Sequence, residues 1–196
     1  EDGQARLELA QAALHCGQTR MAREETQKVL ELEPESLLGL RIVAEAYARD
    51  DEHEQALQVL DQALSLWPED PQLALLRADI LAESGMPGQA LDQIRPTIET
   101  YGSFQPQALD LYVPLMRLQQ EQERAVQALQ PALARTALGR DYRRRLLFHL
   151  ACLHKDCGRS QQAVLAATEG NALKPGSYHP EQEEDLMHRI MRVFDA

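Results

Sequence analysis

A 34-residue period constrains this chain more than any other feature of its sequence. Ala22, Ala56 and Ala90 stand 34 residues apart, Pro34 and Pro68 share that interval, and Gly17 and Gly85 lie 68 apart. Three markers in one phase describe one supersecondary unit that recurs and buries its apolar face only against its neighbours. The composition says what that unit is made of. Hydrophobic residues make up 44% of the 196 positions and aromatics only 5%. The apolar content is therefore mostly Ala and Leu, which favour helix over strand. Each period has room for two helices and two turns, so the expected class is all-α.

The second unit carries the pattern most clearly: Leu40-x2-Val43-Ala44-x2-Tyr47, then Ala56-x3-Leu60, Ala63-Leu64 and Pro68. Two antiparallel helices approach closely only where side chains are small, which explains Ala44 and Ala56. Tyr47 and Leu60 fill the space beside them, and Pro68 stops the second helix. This unit resembles the tetratricopeptide repeat, with Leu40 at the family's first aromatic, Val43-Ala44 at its Leu-Gly, and Tyr47 and Ala56 in place. The resemblance implies an α-solenoid, a right-handed superhelix of about five helix-turn-helix repeats forming a single domain. The repeats are expected at about 3–36, 37–70, 71–104, 106–139 and 144–177, with a capping helix at 180–195. Ala125 follows Ala90 by 35 residues and Ala163 follows Ala125 by 38, so a longer loop is expected through Thr136, Gly139 and Asp141. Thr26 stands in unit one where a large apolar side chain is expected. Pro114 is expected to kink the first helix of unit four, and Pro96 and Pro131 to bend or shorten second helices. After Pro175 the repeat stops. Glu181 to Phe194 reads as the capping helix, with Leu186, Ile190, Val193 and Phe194 as its apolar stripe.

In the family that unit two resembles, the first helices line a concave surface and repeat positions 2, 5, 9 and 12 to 13 face inward. The resemblance thus implies Leu7, Gln11, Leu14 and His15 from unit one, and Leu38, Arg41, Glu45 and Arg49 from unit two. From unit three it implies Gln72, Leu75, Asp79 and Glu83, and from unit four Gln107, Asp110, Pro114, Arg117 and Leu118. Unit five adds Arg145, Phe148, Cys152, Lys155 and Asp156. The expected protein-binding residues are Gln11, His15, Arg41, Glu45, Arg49, Asp79, Glu83, Asp110, Arg117, Arg145, Phe148 and Lys155. The groove reads as basic at unit two, acidic at unit three and basic again at unit five, which suits a peptide of alternating charge. The paired Lys, Asn and Arg with which related domains clamp acidic chaperone tails are missing, since Leu7, Gln11, Gln72 and Leu76 occupy the matching positions.

Other chemistry is argued against. A formal net charge of -11 disfavours nucleic acid, whose phosphates call for a basic stripe. No apolar run approaches a membrane span. Cys16, Cys152 and Cys157 are expected to be small packing residues in a reducing, cytoplasmic setting. His149, Cys152, His154 and Cys157 have the residue types for zinc. On one helix, however, His149 and His154 point about 140° apart, which no tetrahedral site accommodates. Arg140, Arg143, Arg144 and Arg145 form a basic cluster, read as a solvated helix start. Neither a nucleophile motif nor a glycine-rich phosphate loop is present, so no catalytic role and no cofactor are expected. Self-association through the solenoid ends stays open.

The last stretch carries a second resemblance. Glu169-Gly170-Asn171-Ala172-Leu173-Lys174, then Tyr178-His179-Pro180-Glu181 and Leu186 to Phe194, resemble the junction of bacterial tetratricopeptide-sulfotransferase proteins. There the repeats end in a similar segment and a sulfotransferase domain follows. With Glu1 in place of a start methionine, the chain is expected to be the repeat-bearing part of a larger protein. The function implied is a scaffold that recruits a protein substrate for that domain; a free-standing adaptor is the alternative.

Overall fold

The computed structural model describes residues 2–101, 106–135 and 138–174. Among them run ten helices and no strand: α1 (Asp2–His15), α2 (Thr19–Leu30), α3 (Leu37–Arg49), α4 (His53–Leu66), α5 (Pro71–Glu83), α6 (Pro87–Tyr101), α7 (Pro106–Leu118), α8 (Gln122–Leu133), α9 (Arg140–Asp156) and α10 (Ser160–Ala172). The chain divides into two compact units, Glu1–Thr136 and Ala137–Ala196. The first contains four helical hairpins, α1 to α8, and the second contains the hairpin of α9 and α10. No helix of the described residues is long and apolar enough to cross a membrane.

Each hairpin closes through the same turn. Gly17, Asp51, Gly85, Gln120 and Gly158 all have positive φ, between 60° and 77°. The residue after each donates its N–H to the carbonyl five positions back: Gln18 to Ala13, Glu52 to Tyr47, Met86 to Leu81, Glu121 to Met116 and Arg159 to His154, at 2.8–2.9 Å. This is the left-handed cap that satisfies the last carbonyls of a helix. The same residue's carbonyl then accepts from the Ala in the first turn of the second helix, at Ala22, Ala56, Ala90, Ala125 and Ala163. Two links between hairpins are capped by side chains instead. Ser36 Oγ accepts from Gly39 N–H at 3.4 Å, and Asp70 accepts from Gln72 and Leu73 N–H at 2.9 Å, ahead of Pro71 at the helix start.

Small residues occupy the crossings. Ala10, Ala44 and Ala78 in the first helices and Ala22, Ala56, Ala90 and Ala125 in the second are wholly buried. One apolar cluster joins α1, α2 and α3 through Leu7, Ala10, Leu14, Ala22, Val29 and Ile42. Another joins α3, α4 and α5 through Leu40, Ala44, Ala56, Leu60, Leu73 and Ile80. Neither hairpin closes its core alone, which is the physical meaning of the 34-residue period. Thr26, at the position of Leu60, is fully buried, and its hydroxyl donates to the Ala22 carbonyl at 2.7 Å.

Several expectations are corrected. Helix α9 begins at Arg140, with Gly139 ahead of it, a turn before the expected start near Arg144. Asp141 favours the positive end of that helix and Tyr142 is buried, so the chain gains by coiling early. Cys16 and Cys152 are exposed and Cys157 is half-buried, so packing does not account for the first two. Cys16 lies in the turn that follows α1, and Cys152 lies on α9. Pro96 and Pro131 sit inside α6 and α8, which continue to Tyr101 and Leu133. Pro114 likewise lies within α7. The expected capping helix at 180–195 lies outside the described residues.

Candidate protein-binding groove

In unit 1, α1 touches α3, α3 touches α5 and α5 touches α7, in addition to the contacts between consecutive helices. The first helices therefore form a continuous inner layer. Residues four apart share a helix face. Arg41, Glu45 and Arg49 thus form a row along α3, and Asp79 and Glu83 form another along α5.

Two adjoining hollows lie on this layer. The first, of about 320 Å³, is lined by Glu45, Ala48, Arg49, Leu76, Asp79, Ile80 and Glu83. The second, of about 280 Å³, is lined by Leu75, Asp79, Asp110 and Leu111. Asp79 belongs to both. The floor of the first is apolar, from Ala48, Leu76 and Ile80, and its rim is charged. This division between an apolar floor and a few placed polar groups is that of a ligand-binding cleft.

The charges do not all face outward. Arg49 donates to the carbonyl of Leu14, at the end of α1. Arg41 donates to Gln72 on α5 and lies 3.8 Å from Glu45. Both guanidinium groups thus tie neighbouring first helices together. Asp79 has no hydrogen bond or ion pair among the described residues. It is exposed by surface area, yet the walls of the hollows shed water from its carboxyl, and this desolvation raises its pKa above the ordinary 3.8.

Of the twelve residues expected from sequence, Glu45, Arg49, Asp79 and Glu83 meet in the first hollow, and Asp79 and Asp110 in the second. Arg41 stands beside them. Gln11 and His15 are exposed on α1 and Arg117 is exposed on α7, none of them lining either hollow. Arg145, Phe148 and Lys155 belong to α9 in unit 2. There the Arg145 guanidinium lies 5.3 Å from the centre of the Tyr142 ring. The Phe148 ring leans on α10, where a Cβ at Gly170 would stand 3.5 Å from its Cζ. Lys155 is exposed.

Leu7 and Leu14, expected on the groove surface, are instead buried at 5% and 2% exposure. Both turn into the seam with Ile42 and Ala46, because an apolar side chain at that boundary gains more from the core than from solvent. The sequence reading placed Leu75 and Leu76 on this face but missed Ala48, Ile80 and Leu111 in the apolar part of the groove. Ala48 was within reach of it, since it lies 34 residues after Leu14, already placed at an inward position. A further hollow of about 610 Å³ lies between α2 and α3, bordered by Arg20, Arg23, Lys28 and Tyr47, and no sequence signal pointed to it.

Comparison with known proteins agrees with this architecture. Residues 37–80 match the model of the tetratricopeptide repeat family. A stretch of 98 residues is 30% identical to human protein O-mannosyl-transferase TMTC1; it covers 48% of this chain but only 11% of that protein. Among solved structures, MamA (residue 41 to the end) from Desulfovibrio magneticus has a TM-score of 0.71 at 17% identity, covering 88% of this chain and 95% of that one. YrrB, described as a TPR protein with an unusual peptide-binding site, has a TM-score of 0.62 at 12% identity, covering 87% and 85%. These structural likenesses establish the fold, which is that of the tetratricopeptide α-solenoid.

Proposed function

We propose that unit 1 holds an extended segment of a partner protein across α3, α5 and α7, and that this part of the chain acts as a scaffold without chemistry of its own. The observation that carries this reading is the pair of hollows joined at Asp79, with an apolar floor and a charged rim. A peptide main chain fits such a channel, and spaced side chains drop into its two pockets. YrrB, which shares the fold, is described as binding a peptide. The reading is tested by nuclear magnetic resonance with peptides selected on this chain from a random library. Resonances of Ala48, Leu76 and Ile80 are expected to shift. Shifts confined to the outer helices α2, α4 and α6 would remove the groove from consideration.

The finer reading is that the partner is a substrate delivered to a sulfotransferase domain on the same polypeptide. Its support is the resemblance over residues 169–194 to the repeat-to-sulfotransferase junction. The gene decides the matter. A donor-binding phosphate loop encoded downstream of Ala196 is expected, and a stop codon or an unrelated domain there ends this reading.

A further inference from the structure

We infer that the segment held in the groove of unit 1 is basic: a Lys or Arg side chain of the partner enters the hollow shared by Asp79 and Asp110, while its main chain crosses the apolar floor at Ala48, Leu76 and Ile80. This rests on the groove reading and names the class of partner that the groove selects.

The argument is one of charge complementarity. The two hollows are lined by four carboxylates, Glu45, Asp79, Glu83 and Asp110, against one guanidinium, Arg49; Glu45 is already paired with Arg41, whereas Asp79 has no partner among the described residues. That guanidinium is already committed to the Leu14 carbonyl, and its neighbour Arg41 to Gln72 and Glu45. An acidic segment would therefore find no uncommitted cation in either hollow and would face like charge. A neutral segment would cover the Asp79 carboxylate without supplying a counter-charge, and a desolvated, unpaired ion is costly. Only a cation both fills the space and compensates the charge. Burial already raises the Asp79 carboxyl, so an entering ammonium or guanidinium relieves an existing penalty. The chain's net charge of -11 adds long-range attraction for a basic partner. Sequence alone pointed to a segment of alternating charge, because it counted Arg41 and Arg49 as available to a ligand.

The test uses the whole 196-residue chain and a phage-displayed library of random dodecapeptides. Selected peptides are synthesised and measured by fluorescence anisotropy, with the methyl resonances of Ala48 and Ile80 as an independent report that the groove is occupied. Expected are peptides enriched in Lys and Arg that shift both methyls. Asp79→Asn should weaken them about tenfold, Asp79→Lys should abolish binding, and affinity should fall with added salt. Circular dichroism confirms that the exposed-site variants keep their helices. Peptides that shift the methyls but are neutral or acidic, or that bind Asp79→Lys as well as the parent chain, overturn the basic partner and leave the groove standing. Failure to select any peptide, or selection of peptides that leave both methyls unmoved, overturns both readings.

Discussion

Asp51 and Gln120 adopt φ of 60°, a backbone region that costs a side-chain-bearing residue about 1–2 kcal/mol. Gly17, Gly85 and Gly158 hold the same place in the other hairpins without that penalty. Gln120→Gly is therefore expected to stabilise the chain by about 0.5–1 kcal/mol, raising the melting temperature by about 1–4 °C in calorimetry. Asp51→Gly should gain less, since Asp tolerates this conformation better than Gln. Asp79 gives a second prediction, with a definite sign. Desolvation raises its folded-state pKa above 3.8, so the folded chain holds that proton more readily than the unfolded chain. The folded state consequently loses stability as pH rises through the ordinary aspartate range. Asp79→Asn removes the carboxyl and should be more stable than the parent at pH 7. The difference should vanish in urea titrations carried out below the pH at which the unfolded carboxyl protonates. An equal gain at all pH values would mean that the charge of Asp79 is irrelevant to folding.

At the scale of the helices, Thr26 places a polar side chain at a buried crossing. Its place in α2 is that of Leu60 in α4 and Ile94 in α6, all almost fully buried. The hydroxyl reaches only its own helix, at Ala22. Such a bond competes with the helix and adds little, whereas a methyl there would bury apolar surface. Thr26→Val is expected to raise stability by about 0.5–1 kcal/mol, read as a shift in the urea midpoint without a change in slope. The helices were also where the sequence was most legible. Ala44 and Ala56 announced a close crossing because nothing larger fits between two backbones, and Gly85 announced a turn because its conformation is strained for other residues. Asp51 and Gln120 hid the same turn, since their residue types do not demand positive φ. The groove was legible in residue type and not in electrostatics. The partners of Arg41 and Arg49 lie 31 and 35 residues away, and which groups those side chains choose is decided by packing between repeats. Leu7 and Leu14 show the same limit from the apolar side, because periodicity fixes a face of the helix but not which way a side chain on its border turns.

Over the whole chain, the hairpin turns and the links between hairpins behave differently. From the residue of positive φ to the Ala in the first turn of the next helix the distance never varies: Gly17 to Ala22, Asp51 to Ala56, Gly85 to Ala90, Gln120 to Ala125 and Gly158 to Ala163. Every irregularity in the period, the steps of 35 and 38, falls outside that interval. A residue added after Gly17 would displace both turn hydrogen bonds and rotate α2 by about 100° against its neighbours, at a cost of more than about 2 kcal/mol. A residue added between Leu32 and Glu35 should cost far less. Thermal melts of the two insertion variants, side by side, measure the contrast. The gene is thus free to grow and shrink at its joints while the turn inside each hairpin keeps its length, so copies can be spliced in or trimmed away without redesigning the turns that remain.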